Sequence, residues 1–156
     1  MKKTFLIVLM FCLNIINAQS IEKEKVMQSK EYLEFKHDFI EYYTSDLFFK
    51  KELINQEFKK KSRLKILHSN EKDFLTWLEK NLDNTDFKSK EEAIELRREF
   101  DNLFDLNQSA SEKIFKDQMT LEKKYSKHII SDLVDNDIYK ELKPKQLELI
   151  KKWKIE

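Results

Sequence analysis

Glycine is absent from all 156 residues, where average usage of about 7% would supply about eleven. Glycine provides the positive-φ corners of tight hairpins and the close backbone approach of phosphate loops. Neither a dinucleotide fingerprint nor a P-loop can be written without it. With a single proline, Pro144, and abundant Lys, Glu and Leu, the local preference is helical along the whole chain. The expected fold class is therefore all-α.

The N-terminus reads as an address. Lys2 and Lys3 precede an unbroken apolar run from Phe5 to Leu13, extended by Ile15 and Ile16. About twelve apolar residues span roughly 18 Å as a helix, well short of the hydrocarbon core of a bilayer. The run ends in Ile16-Asn17-Ala18, with a small residue at the position a signal peptidase needs. Residues 1–18 are thus expected to be a cleavable bacterial signal peptide, and residues 19–156 one helical domain with no stable membrane span after cleavage. The expected location is periplasmic or extracellular. Cys12 is the single cysteine, so cleavage leaves no disulfide, thiolate nucleophile or cysteine-ligated metal. Losing Lys2 and Lys3 from 30 basic residues against 29 acidic ones turns the formal charge from +1 to −1. Such a balance selects no partner by bulk charge.

Periodicity divides the remainder into two long helical stretches and two short ones, expected to form an elongated antiparallel bundle. The first stretch runs from Ile21 to Leu67. Val26, Leu33, Ile40, Leu47 and Ile54 recur at steps of seven, and Phe35, Tyr42 and Phe49 form a second row. Thr44-Ser45-Asp46 is the expected bend, because so long a helix is rare. A short helix follows from Glu71 to Leu82, capped by Asn70. Residues 81–90 read as a loop. Ser89-Lys90-Glu91-Glu92 is a capping box opening the second long stretch. There Ala93, Leu96, Phe100, Leu103, Ala110 and Ile114 keep helical spacing. A break is expected near Asn107, where Ser109-Ala110-Ser111-Glu112 is a further capping box. The inner face then shifts to Phe115, Met119, Tyr125, Ile129 and Leu133. Asp135-Asn136-Asp137 is expected to end this stretch, and Pro144 to stand at the first position of the last helix.

Few residues point to chemistry. The aromatic run holding Phe35, Phe39, Tyr42, Tyr43 and Phe49 offers rings to an apolar or sugar ligand, but helical spacing favours the core, with Tyr42 and Tyr43 the most exposed. Glu34 and His37 have the spacing of half a di-iron site; no second copy follows, so a solvated surface pair is expected. Neither a His-Glu-x-x-His motif nor a strand-turn-helix setting for a nucleophile occurs, and no enzyme and no cofactor are expected. Lys59, Lys60, Lys61, Arg63 and Lys65 spread around a helix end rather than forming one stripe. After export their partners would be anionic envelope headgroups rather than nucleic acid. Leu142-Lys143-Pro144-Lys145-Gln146 is similar to the Leu-Thr-Pro-x-Gln element of the Spy/CpxP family of helical periplasmic chaperones. Lys143 replaces its threonine and the element occurs once, so no membership follows. The expected function is that of an exported helical interaction protein, chaperone-like and without catalysis. The alternative is a carrier of a lipid or another apolar ligand between the long helices.

Overall fold

The computed structural model describes residues 20–63 and 70–153; the expected leader (1–18) and Lys65 lie outside them. The described regular structure is entirely helical. Residues 20–27 are helical (α1), followed by α2 (Lys30–Tyr43), α3 (Asp46–Ser62), α4 (Glu71–Asn81) and a 3-10 turn (Leu82–Asn84). Then come α5 (Lys90–Tyr125), α6 (Lys127–Leu133), a π turn (Val134–Ile138) and α7 (Tyr139–Trp153).

The caps follow local chemistry. Ser45 accepts from Phe48 N at 3.1 Å and starts α3, so the chain does break at Thr44-Ser45-Asp46. Asn70 caps α4 by accepting from Asp73 N at 2.8 Å. Ser89 accepts from Glu92 N at 3.2 Å, while the Glu92 carboxylate reaches back to Lys88 N, one residue before the usual capping-box partner. With no glycine available, Arg63 and Ser126 take the positive-φ positions, at 58° and 133°. Arg63 ends α3 where glycine is the usual residue.

The chain packs as two compact units, one holding the described residues through Glu41 with Ile114–Lys143, the other Tyr42–Lys113 with the residues from Pro144 on. In the first unit Tyr32, Phe35, Phe39 and Ile40 form the buried face of α2. Leu33, expected inward, is exposed. A turn at Gln28 and Ser29 separates Val26 from α2, so the seven-residue row never lies on one continuous helix. Ser29 sets that turn, donating to Val26 O at 2.7 Å and accepting from Tyr32 N at 3.3 Å. Ile129, Ile130 and Leu133 of α6, Ile138 and Leu142 are also buried in this unit.

The second unit is built on Phe58, Phe74, Leu78, Phe87, Ala93 and Leu96, with Ile54, Trp77, Leu82 and Ile94 packed around them. The Phe58 ring lies 5.3 Å from Phe74 and 5.8 Å from Phe87. Asp86 N donates to Lys61 O at 2.8 Å, which ties the loop carrying Phe87 to the end of α3. Lys61 reaches Glu92 at 2.7 Å and Asn107 reaches Leu47 O at 3.4 Å, so α3 and the first part of α5 run in opposite directions.

Two expected interruptions are absent. Helix α5 is continuous through Asn107, and Ser111 donates to Gln108 O within it instead of opening a new helix. Ala93, Leu96, Asn107, Ile114 and Leu121 are buried, with Phe100, Leu103, Ala110 and Asp117 half-buried between them: one seam at alternating steps of three and four. The inner face therefore does not shift at Phe115 and Met119, which are exposed at 66% and 38%, whereas Tyr125 is half-buried and Ile129 and Leu133 are buried as expected. Asn107 Nδ2 donates to Leu103 O at 2.7 Å, but its Oδ1 is buried without a partner. Leu47 O and Leu103 O keep their helical partners if the amide is removed. Asn107→Leu is accordingly expected to stabilise the chain by about 1 kcal/mol in urea denaturation, and a loss of that size would show that the amide's bonds outweigh its orphaned oxygen.

The second correction concerns the C-terminal region. Asp135-Asn136-Asp137 forms a π turn between α6 and α7 rather than a stop, and the break lies at Ser126. Pro144 is inside α7, not at its start. A proline there removes the N–H that would bond Lys140 O. Pro144 is exposed, so water can serve that carbonyl.

Candidate functional site

The most elaborate polar group in the first unit surrounds the π turn. An i→i+5 turn holds one residue more than an α turn and rotates the helix that comes after it. Here it brings Asp137 to Tyr32 and Lys36 of α2. The Tyr32 hydroxyl donates to Asp137 Oδ2 at 2.7 Å, and Lys36 Nζ lies 2.9 Å from both carboxylate oxygens and 3.2 Å from Glu141. Burial pushes the Tyr32 phenol far up, and the hydrogen bond to Asp137 and its charge add to this. Partial burial opposes the charge on Asp137, yet the bonds from Lys36 and Tyr32 outweigh it and hold the carboxyl below its usual range. Lys36 shows the mirror image: desolvation disfavours its charge, but Asp137 and Glu141 raise it above the ordinary lysine value. Every member has a partner inside the group, so it ties α2 to the π turn and the start of α7.

The candidate contact residues divide between the units. Phe35 and Phe39 are buried in the first, their rings 5.8 Å apart and edge-on, with Tyr139 5.8 Å from Phe39. In the second, Phe49 is buried, whereas Tyr42 and Tyr43 are half-exposed. Those two tyrosines and Phe48 stack edge-on around the α2–α3 break, at 4.9, 5.6 and 5.2 Å, and Lys51 lies 5.1 Å over Phe48. Burial raises the Tyr42 phenol, helped by Tyr43 and Glu52. Gln146 closes this end by donating to Tyr43 O at 3.2 Å.

The basic run is not one surface. Lys59 and Lys60 are exposed, but Lys61 is held by Glu57 at 2.8 Å and Glu92 at 2.7 Å, and Arg63 pairs with Asp86. These pairs neutralise half of the four described cations. The Glu34–His37 pairing is not formed: His37 Nε2 is 3.5 Å from Glu41, and Glu34 is 3.6 Å from Lys30.

Several residues are not visible to sequence reasoning. Arg97 is buried with its Nε 2.8 and 2.9 Å from the two oxygens of Asp101 and its guanidinium 5.7 Å over the Phe74 ring. Phe87 is legible only as a lone aromatic in a polar loop. The exposed pair Phe115 and Met119, four residues apart on one face of α5, has core spacing only if the seam drifts, which it does not. Comparison with protein-family models, curated proteins and solved structures finds no match to this chain. Among the described residues no helix is long and apolar enough to cross a membrane.

Proposed function

We propose that the chain is an exported helical interaction protein of the bacterial cell envelope, chaperone-like and working by binding without catalysis. One observation carries this reading: α5 leaves Phe115, at 66% exposure, and Met119 together on its surface, outside its buried seam. A lone exposed apolar side chain needs no explanation, but an adjacent ring and thioether make an adaptable contact for apolar segments of another chain. The self-satisfied Asp137 group and the missing catalytic signatures support binding over reaction. The ring contacts of Phe35 and Phe39 favour a protein core over a space for lipid, so the carrier reading is the weaker one.

The test joins place and activity. Protein recovered from cells is expected in the envelope fraction, beginning at Gln19, and to slow aggregation of an unfolded client. Phe115→Ser with Met119→Ser should weaken client binding about tenfold, since burial of two such side chains against a partner contributes at least about 1.4 kcal/mol. Material beginning at Met1 in the cytosol, or client binding unchanged by the double substitution, would overturn the proposal.

A further inference from the structure

The exposed side of α2 carries a set of side chains that the interaction reading does not use. His37, Asp38 and Glu41 each offer one ligand atom, and these three atoms lie within 4.8 Å of one another. His37 and Glu41 are one helical turn apart, already 3.5 Å from nitrogen to oxygen, and are 75% and 71% exposed. From this geometry we propose that His37, Asp38 and Glu41 bind a divalent transition-metal ion of the zinc class.

The donor set selects the ion. One imidazole nitrogen with two carboxylates suits zinc, cobalt, nickel or copper, whereas calcium takes six to eight oxygens and magnesium an oxygen octahedron. In a tetrahedral zinc complex with bonds of about 2.0–2.1 Å, neighbouring ligand atoms are about 3.3 Å apart. Closing the set to that spacing needs about 1.5 Å of movement, within reach of side-chain rotation on an exposed helix face and without a backbone shift. Three protein ligands leave the fourth position to water, the pattern of an open site rather than a closed structural one. Two carboxylates balance the charge of the ion.

The rest of the chain supplies a contrast. His128 also has a carboxylate one turn on, Asp132, which meets Lys23 and Asn136, but no third ligand joins that pair among the described residues. Among the described residues, three such side chains converge on α2 alone. Glu34, a turn earlier on the same side of α2, stands outside the set.

The experiment uses the untagged chain with zinc, cobalt, calcium and magnesium chlorides, read by calorimetry and by the visible absorption of bound cobalt. One zinc or cobalt ion per chain is expected, displacing each other, with no heat from calcium or magnesium. His37→Gln and Glu41→Gln should each weaken binding more than tenfold, the lower end of what losing even an outer-sphere partner costs about a metal site. His128→Gln should leave it unchanged. Helical circular dichroism controls for folding, which these exposed positions should not disturb. Absent zinc binding, equal binding by His37→Gln, or calcium binding as tightly as zinc would each overturn the proposal.

Discussion

Phe58→Ala is expected to destabilise the chain by about 3–5 kcal/mol, the range for removing a large aromatic side chain from a packed interior. Phe58 is fully buried, with the rings of Phe74 and Phe87 beside it. Its loss empties the centre of the cluster in which α3, α4 and the loop before α5 share a core. Since whole domains are stable by about 5–15 kcal/mol, about a fifth or more of that margin is at stake. Trp77 packs against the same cluster, so its fluorescence in a urea titration reports the change directly. A shift worth less than about 1 kcal/mol would mean that Phe58 is not at the centre of a packed core.

Asp137→Ala should cost about 2 kcal/mol, because it removes charge-assisted bonds and leaves the fully buried Tyr32 hydroxyl without its acceptor. Lys36 keeps Glu141, which limits the loss. Asp137→Asn preserves an acceptor for Tyr32 and should fall between the two. The effect depends on pH with a definite sign. The Asp137 carboxyl is held lower in the folded chain than in the unfolded one. Its contribution is therefore complete above the ordinary carboxylate pKa of about 3.9 and disappears as pH falls through the lower, folded value. Denaturation curves of the parent and Asp137→Ala should differ at pH 7 and converge toward pH 2. A gap that persists at low pH would show that the aspartate acts by packing and not by charge.

The features legible in the sequence are local. Asn70 and Ser89 each satisfy an amide three residues away, an interaction wholly contained in a four-residue window, and Ser45, legible as part of a bend, does the same. Asn107 shows the opposite case. Asparagine competes with helix when alone, which is why its position predicts a break; in the fold its amide bonds the carbonyls of Leu103 and of Leu47, sixty residues away, and α5 runs on. Keeping that helix whole holds the seam in step, and this is what turns Phe115 and Met119 outward. The metal-binding set is hidden for a related reason: Glu34 and His37 have the spacing of bundle di-iron proteins, but the side-chain directions pair His37 with Glu41.

Composition and short-range order alone determined that this chain is helical, because it abounds in helix formers and lacks the residue that tight hairpins and phosphate loops favour, and they located the caps at Asn70 and Ser89. Burial was decided only in three dimensions. Phe87 in a polar loop, Arg97 over the Phe74 ring, and Asp137 bonded to Tyr32 across 105 residues all depend on which surfaces meet. A cap is set by neighbours within one turn, whereas the free energy of burying a ring or a charge belongs to partners that the sequence places far away.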